Sequence, residues 1–345
     1  MSIAPIKIAV AGGGYGAKVP LPVLAQLEEF EPVAVWSRTP ERAAALAEKH
    51  GLQLGTSDVE ELLAHPGLEA IHIATPVALH ADFAIAAARR GIHVLLDKPV
   101  ASDLAEGRAV ATAVDEAGVV CAVNYGRRFQ QTRARLLECI AEVVGTPRMV
   151  SVSLVFDDHA EPGSRPFTWV QDAAMGGGRM QGYGVHDLDL LLAAFGEVEA
   201  VAAATEVGVS ERTAADGTAH QVTAEDAYAI LLRLRGGGLA QVSLTATARH
   251  KRGDTVEVYG SQGSVLLDAD RTLRWGRAGE PLQTEGPLTA DSKTAYAQIA
   301  RSFYAAIREG SEPQPSLLDG LRVQALFDAV RRADRERRWV EPEAV

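Results

Sequence analysis

Cysteine is scarce in this chain of 345 residues, which contains only Cys121 and Cys139. Two cysteines exclude a disulfide framework, and such low usage is typical of a protein from a reducing compartment. Neither cysteine has the spacing of a metal ligand, and the nine histidines are scattered along the chain. We therefore expect no metal site.

Long apolar runs and a leader sequence are missing as well. Residues 1–5 lead directly into a predicted strand, without the charged segment and apolar core of a signal peptide. No apolar run is long enough to span a bilayer. These features predict a cytoplasmic protein that has no membrane partner.

Positive charge is in deficit, with 34 lysines and arginines against 45 aspartates and glutamates and a net charge of −11. This balance argues against nucleic acid as a partner, because binding phosphates requires a positive surface. The chain is long enough for two domains, and its hydrophobic content of 47% is sufficient for well-buried cores.

The most informative segment that is present is a glycine cluster directly after a β-branched run at residues 6–11. Gly12-x-Gly14-x-x-Ala17 matches the dinucleotide-binding fingerprint G-x-G-x-x-G/A. Gly12 permits a tight turn, Gly14 lets a pyrophosphate approach the backbone, and Ala17 lets the next helix pack on the strand. The positive end of that helix then faces the phosphates. The predicted cofactor-binding residues of this segment are Gly12, Gly14, Tyr15, Gly16 and Ala17.

The end of the second predicted strand, residues 32–36, indicates which dinucleotide is bound. NAD-binding sites usually place Asp or Glu there, where it accepts from both ribose hydroxyls, but this chain has Ser37 and Arg38. A carboxylate would repel a 2′-phosphate, whereas Ser37 can donate a hydrogen bond to it and Arg38 a charge-assisted pair. The residues favour NADP(H), with NAD(H) as the alternative if Arg38 is only a solvated loop residue.

The pattern of strands and helices predicts an α/β chain with two unlike halves. Residues 6–123 alternate strand and helix, which predicts a doubly wound parallel Rossmann sheet. Strand-like runs from residue 150 to 268 surround a helix over 185–195 and predict an α+β domain with a large, mostly antiparallel, open sheet. We assign 1–123 to a dinucleotide-binding domain and 124–345 to a substrate and oligomerisation domain, with C-terminal helices from about 290.

Three segments lie where parallel strands are predicted to end, which is the edge at which open α/β sheets bind ligands. They are the glycine loop, Thr75-Pro76 and Asp97-Lys98-Pro99. A lysine at this edge is within reach of a nicotinamide or a substrate hydroxyl, and it can transfer a proton if burial lowers its pKa. On position alone, the alternative is an ordinary surface lysine before a turn.

Over nearly its whole length the chain resembles the glucose–fructose oxidoreductase / inositol dehydrogenase / MocA family. The motifs that carry this resemblance are the glycine loop, Ala74-Thr75-Pro76 with His80, Asp97-Lys98-Pro99 in place of Glu-Lys-Pro, and Gly176-Gly177-Gly178 followed by His186-Asp187-Leu188-Asp189. The resemblance implies an NAD(P)-dependent dehydrogenase or reductase of sugars or cyclitols. It also implies that Lys98 is the active-site lysine and that the Lys98–Pro99 bond is cis. The other predicted cofactor-binding residues are Thr75, Pro76, His80, Asp97, Lys98 and Trp169.

One departure from the family pattern concerns Asp-x-x-x-His, a pair that assists proton removal from the substrate in many members. The histidine corresponds to His186, but Gly182 stands at the aspartate position. A glycine side chain can neither accept a hydrogen bond nor tune the histidine. Either His186 acts with Lys98 alone, or Tyr183 or Gln181 supplies the polar group, or the site no longer catalyses.

Three further residues are weaker candidates. Tyr125 and Arg127 follow the last strand of the first domain and can reach the substrate, although a solvated basic face fits them equally. Trp169 is placed near the nicotinamide or substrate by the resemblance, and a core aromatic is its alternative. The predicted substrate-binding residues are Lys98, Tyr125, Arg127, Trp169, Tyr183 and His186.

Two functional hypotheses follow. The first is an NADP-preferring oxidoreductase that moves a hydride to or from a sugar-like or cyclitol alcohol or ketone, with Lys98 and His186 as acid–base groups. The second is a non-catalytic, sugar-responsive regulator that binds NAD(P), which Gly182 keeps open. The resemblance also implies a homodimer or homotetramer, because an open apolar sheet face needs a partner.

Overall fold

The computed structural model describes residues 4–345 and divides into two compact units. The first unit runs to Phe129 and also contains Asp291–Gln324, whereas the second consists of Gln130–Ala290 and Ala325–Val345. The first unit thus extends past the predicted boundary at residues 123 and 124. It also takes in a C-terminal helix that the prediction assigned to the second domain.

The first unit contains a parallel sheet that the described residues build from six strands, in the order β3-β2-β1-β4-β5-β6. This is the strand order of the doubly wound dinucleotide-binding fold, and it confirms the predicted Rossmann sheet. The strands are β1 Ile6–Ala11, β2 Phe30–Trp36, β3 Leu54–Thr56, β4 Ala70–Ile73, β5 His93–Asp97 and β6 Cys121–Asn124.

The helices begin and end at recognisable sequence signals. The carboxylate of Asp103 accepts the backbone N–H of Glu106 at 2.9 Å at the start of one helix, which ends at Gly118 in the left-handed region. Pro20 opens a separate short helix behind the glycine loop, so the single helix predicted there is divided. The helices are α1 Tyr15–Lys18, α2 Pro20–Leu24, α3 Pro40–His50, α4 Val59–Leu63, α5 His80–Ala88, α6 Leu104–Ala117, α7 Gln131–Val143, α8 Val185–Phe195, α9 Ser292–Glu309 and α10 Leu317–Glu336.

Helix α9 belongs to the first unit because its apolar face completes that unit's core. Tyr296, Ile299 and Phe303 are buried in one cluster with Ile6 and Ile8 of β1. Burial of each side chain of this size contributes roughly 1.5–3 kcal/mol. The amphipathic pattern therefore predicts the helix correctly but cannot show which surface the helix covers.

The second unit contains a sheet of eight strands among the described residues, in the order β16-β15-β14-β13-β7-β12-β11-β8. Every neighbouring pair is antiparallel except β7 with β12, which confirms the predicted mostly antiparallel sheet. A small ribbon of β9 and β10 lies outside it. The strands are β7 Pro147–Val155, β8 Val198–Glu206, β9 Glu211–Thr213, β10 Ala219–Gln221, β11 Ala227–Leu234, β12 Leu239–Thr245, β13 Gly253–Gly260, β14 Gly263–Leu267, β15 Leu273–Arg277 and β16 Gln283–Glu285.

Strict alternation of side chains explains why the sheet of the second unit buries one face. In β11, Tyr228, Ile230 and Leu232 are buried while Ala229 and Leu231 between them are exposed. Within residues 4–345, no helix is both long and apolar enough to cross a lipid bilayer.

Candidate active site

The glycine loop after β1 has the backbone geometry that the fingerprint predicts. Gly12 has a φ of 137°, and a Cβ on it would clash with the carbonyl oxygen of Ala74, so only glycine fits there. A Cβ on Gly14 would instead meet no atom within 4 Å. The backbone at Gly14 is therefore open to a ligand, as a bound pyrophosphate requires.

Ser37 at the end of β2 and Arg42 of α3 both lie beside the glycine loop, and Arg42 was not predicted from the sequence. Ser37 is buried, and its hydroxyl oxygen lies 2.8 Å from the position that a Cβ on Gly13 would occupy. Arg42 of α3 donates from Nη2 to the carbonyl of Gly13 at 2.6 Å. Arg38 is exposed beside them. The signal in the sequence was the position of Arg42 in the first turn of the helix that follows the strand.

His80 joins two of the loops at the carboxyl edge of the sheet. Its ring is buried, with Nδ1 2.8 Å from the carbonyl oxygen of Pro99 and Nε2 3.0 Å from that of Thr75. Desolvation lowers its pKa, so the ring is neutral at pH 7 and one nitrogen donates. Both ring nitrogens face backbone oxygens. The structure therefore places His80 as a support for the loops at Thr75-Pro76 and Lys98-Pro99.

Asp97 is the last residue of β5 and Lys98 follows it, and both residues are half-buried. Oδ1 of Asp97 accepts the backbone N–H of Lys98 at 2.9 Å and the side-chain amide of Asn124 at 3.3 Å. Desolvation lowers the pKa of Lys98 to about 8, and the charge of Arg127 acts in the same direction while Asp97 opposes both. The Lys98–Pro99 peptide bond is cis, as the resemblance implies.

A lysine with this pKa exchanges its proton near neutral pH, which is the property that an acid–base catalyst needs. Tyr15 of the glycine loop lies in the same group of residues, since its hydroxyl is hydrogen-bonded to Asn124. Desolvation, together with the charge of Asp97, raises the pKa of Tyr15 to about 12, so its phenol stays neutral. The first unit thus collects Tyr15, Asp97, Lys98, Asn124 and Arg127 at one sheet edge.

Tyr125 is placed differently from the other predicted substrate residues of this unit. Its side chain is fully buried, and its backbone N–H donates to the carbonyl of Val123 at 2.9 Å. Arg127 is only half-buried. Of the two candidates, Arg127 therefore presents surface to a ligand and Tyr125 does not.

In the second unit, His186 lies at the start of α8, directly after a π-helical turn over Met180–Gly184. His186 and Tyr183 are half-buried and Gly182 is exposed. A Cβ on Gly182 would meet no atom within 4 Å, so the space of the missing aspartate is open. Gln181 is buried and accepts a hydrogen bond from Nη2 of Arg331 at 3.2 Å.

The start of α8 is fixed by a buried ion pair. Asp187 is fully buried and contacts Nη2 of Arg133 at 3.0 Å, and the same nitrogen lies 2.8 Å from Asp254. Asp187 thus orients the helix, whereas the neighbouring His186 is partly exposed. Breaking a buried pair of this kind typically costs about 3–5 kcal/mol.

The three consecutive glycines of the second unit position Trp169. A Cβ on Gly177 would clash with the carbonyl oxygen of Val170, and the N–H of Gly178 donates to the same oxygen at 2.9 Å. Trp169 begins a short 3-10 turn that Thr168 caps, and 45% of the residue is exposed. The structure therefore places Trp169 at the surface of its unit rather than in a core.

The Rossmann sheet, the open glycine loop and the lysine at its edge define a dinucleotide-binding oxidoreductase. Comparison with models of protein families gives the same class and a family. Residues 6–125 match the Gfo/Idh/MocA oxidoreductase family with its NAD-binding Rossmann fold, and residues 134–266 match the Gfo/Idh/MocA C-terminal domain. The chain belongs to the Gfo/Idh/MocA family, and it is an NAD(P)-dependent oxidoreductase.

Relatives of known activity extend over almost the whole chain. Levoglucosan dehydrogenase of Pseudarthrobacter phenanthrenivorans is 27% identical, over 97% of this chain and 98% of its own. Inositol 2-dehydrogenase of Rhizobium meliloti is also 27% identical, again over 97% of this chain and 98% of its own. A solved structure of levoglucosan dehydrogenase with NADH and levoglucosan superposes with a TM-score of 0.88, at 26% identity, and covers 99% of this chain and all of the other.

Across residues 4–345, no group of three or more His, Cys, Asp or Glu side chains is arranged to hold a metal ion.

Proposed function

We propose that this enzyme transfers a hydride between NADP(H) and a sugar-like or cyclitol alcohol or ketone. The observation that carries the proposal is the position of Lys98 at the sheet edge that also holds the glycine loop, where burial lowers its pKa to about 8. Two relatives are named for their action on levoglucosan and inositol, which supports a polyhydroxylated substrate.

The residues that fit the cofactor are those of the glycine loop and the end of β2. The open backbone at Gly14 would accommodate the pyrophosphate, and the Ser37 hydroxyl and Arg42, which both lie beside Gly13, would hold the ribose. The bound nicotinamide supplies or accepts the hydride. Arg38 and Arg42 offer two positive charges to a 2′-phosphate, which supports a preference for NADP(H).

Lys98 handles the proton that accompanies hydride transfer. During oxidation its neutral amine accepts the proton of the substrate hydroxyl, and during reduction its ammonium returns that proton to the carbonyl oxygen. His186 is the second acid–base group of the proposal. Because Gly182 has no side chain to do what the aspartate of many family members does, His186 contributes less than Lys98 and chiefly positions the substrate.

The rate of each direction should depend on pH with opposite sign, because Lys98 must be neutral for oxidation and charged for reduction. We expect kcat/KM for oxidation to rise as pH increases through about 8, and kcat/KM for reduction to fall over the same range. The measurement is a pair of pH–rate profiles on the wild-type enzyme. Profiles that are flat across this range, or that change in the same direction, would show that a group other than Lys98 transfers the proton.

A second candidate function is favoured by one observation. Gly182 leaves open space where many family members have the catalytic aspartate, so the chain could bind the cofactor and a sugar without turnover. The open space also means that Gly182→Asp can be accommodated. A gain in turnover for Gly182→Asp over an inactive wild type would identify a binding protein that has lost its catalytic pair.

A screen for substrates tests the proposal against this alternative. Reduction of NADP⁺ and oxidation of NADPH are followed with sugars, ketoses, lactones and inositols, and cofactor binding is measured in the same samples. We expect turnover with at least one compound. Sugar-dependent changes in cofactor affinity with no turnover in either direction would favour the regulator.

The second unit's uncovered sheet face supports a homodimer or homotetramer. Leu239, Met149 and Tyr259 are direct cross-strand neighbours on this face and are 42–45% exposed, with Leu231 in the next row. A contiguous apolar row of this kind is typical of an interface. We expect light scattering at micromolar concentration to give a multiple of the chain mass, and Leu239→Glu to lower it. A monomer mass for the wild type would contradict this prediction.

A further inference from the structure

The loop that follows β7 in the second unit is fixed by a buried arginine. Nη2 of Arg212 donates to the carbonyl of His159 at 2.7 Å, and Nη1 donates to that of Glu161 at 3.0 Å. A longer bond of 3.4 Å reaches the carbonyl of Arg165. These acceptors are neutral, so they hold the guanidinium in place without cancelling its charge.

A second buried arginine shares its partner with a third. Arg179 is 6% exposed, and its Nη2 lies 2.6 Å from Oδ2 of Asp158, which is also 3.0 Å from Nη2 of Arg165. Two guanidinium groups thus share one carboxylate. Among the described residues, Nε of Arg179, Nε of Arg212 and Oδ1 of Asp158 are buried without a hydrogen-bond partner, so the group has two unused donors for one unused acceptor.

Positive charge exceeds negative charge in this arginine cluster. Its charged members are Arg165, Arg179, Arg212, Asp158 and Asp226. His159 at its centre adds no charge, because desolvation and the charges of Arg179 and Arg212 lower its pKa to about 4. Lys251, 6.0 Å from the ring of Phe156, adds a further cation. A local excess of cations stands out in a chain whose net charge is −11.

The arginine cluster borders the turn that carries the proposed substrate residues. The guanidinium of Arg179 lies 5.3 Å from the ring centre of Tyr183, and that ring lies 5.4 Å from the ring of Phe156. Tyr183 precedes His186 by three residues in the same turn. A group bound by the cluster would therefore lie beside the substrate side of the second unit.

We propose that the arginine cluster binds an anionic group of the substrate, a carboxylate or a phosphate, so that the enzyme acts on acidic sugars. Arg165, with 56% of its side chain exposed, and the exposed Lys251 reach solvent and can meet the anion first. Arg179 is buried and fixed by Asp158, and it stabilises the bound anion electrostatically. This inference rests on the proposed function, since it specifies that function's substrate class.

The test compares three hexoses that differ in charge at one position: glucose, glucuronate and glucose 6-phosphate. Turnover with NADP⁺ is measured together with binding, which is followed by nicotinamide fluorescence of the NADPH complex. We expect kcat/KM for one of the anionic sugars to exceed that for glucose by about 10–100-fold, as expected for hydrogen bonds to a charged group. The preferred anion shows whether the cluster takes a carboxylate or a phosphate.

Arg165→Gln should lower this preference by about tenfold, since it removes one charged donor at an exposed position where folding is not at risk. Arg249→Gln is the matched control. Arg249 is also exposed and pairs with Glu161 of the same loop, outside the cluster, so its removal should leave the preference unchanged. Added salt should weaken binding of the anionic sugars more than that of glucose.

The outcomes separate this inference from the proposed function. Turnover of neutral sugars without an anionic preference would overturn the inference and leave the oxidoreductase intact. Binding of anionic sugars that depends on Arg165 but brings no hydride transfer would support the inference and overturn the proposed function. Absence of binding and turnover for both anionic sugars, with neutral sugars active, would also overturn the inference.

Discussion

Replacing Lys98 by methionine should lower turnover by about 10²–10⁴-fold, the usual contribution of a general acid–base group. Methionine keeps the length and the apolar stem of the side chain but can neither accept nor donate the proton. NADP(H) binding should remain, because the glycine loop and the residues around Gly13 would still hold the nucleotide without the Lys98 ammonium. The measurement is kcat on the substrate found by screening, together with a cofactor titration.

Two variants serve as controls for this result. Lys49→Met removes an exposed lysine near the end of α3 and should leave turnover unchanged. His186→Ala should lower turnover less than Lys98→Met, because Gly182 stands where many family members have the aspartate that assists this histidine. Turnover by Lys98→Met at the wild-type rate would show that Lys98 is not the acid–base group. Loss of cofactor binding in the same variant would show that Lys98 has a structural role instead.

Cofactor selectivity should depend on the arginines that follow β2. We expect NADP(H) to bind more tightly than NAD(H) in the wild type. Arg38→Ala and Arg42→Ala should each weaken NADP(H) by about 1.5–3 kcal/mol, or roughly 10–100-fold, because each removes a charge-assisted contact to the 2′-phosphate. NAD(H) has no such phosphate and should be affected much less.

Ser37→Asp tests the same cofactor preference by adding a negative charge instead of removing a positive one. A carboxylate at this position would repel the 2′-phosphate and accept from the ribose hydroxyls, so it should reverse the preference toward NAD(H). Arg89→Ala, at an exposed arginine after α5, is the matched control. Equal losses for both cofactors in the Arg38 and Arg42 variants, or tighter binding of NAD(H) by the wild type, would refute the preference.

Local signals in the sequence were sufficient for much of the fold. The helix predicted over residues 185–195 is α8 Val185–Phe195, because its apolar positions and the closing Gly196 are encoded nearby. The assignment of α9 could not be made in this way. Its apolar face requires a cover, but the pattern does not say that β1, almost 300 residues earlier in the chain, provides it.

In the candidate site, too, local features could be predicted from the sequence and contacts between distant segments could not. Glycines such as Gly12 and Gly177 can be recognised in the sequence, because a position with no room for a side chain requires glycine. Arg42 and Arg179 were not predicted, because their contacts with Gly13 and Asp158 depend on how distant segments pack. The lowered pKa of Lys98 likewise follows from burial, which the sequence suggests only through the position of the lysine after a buried strand.

His80 shows that a motif in the sequence does not reveal the contacts of its residues. The resemblance places His80 near the cofactor, and the structure places its ring between the loops that follow β4 and β5. There its ring contacts the carbonyls of Thr75 and Pro99 instead of presenting a free nitrogen. Its effect on the cofactor would then pass through the loops that it holds.

The central claim is that a hydride passes directly between the substrate carbon and the nicotinamide. The most direct test supplies the substrate found by screening with deuterium on its carbinol carbon, together with NADP⁺ in ordinary water, and analyses the NADPH by mass spectrometry. We expect one deuterium in the reduced nicotinamide and a slower rate than with the unlabelled substrate. Recovery of the labelled sugar unchanged, or NADPH without deuterium, would contradict it.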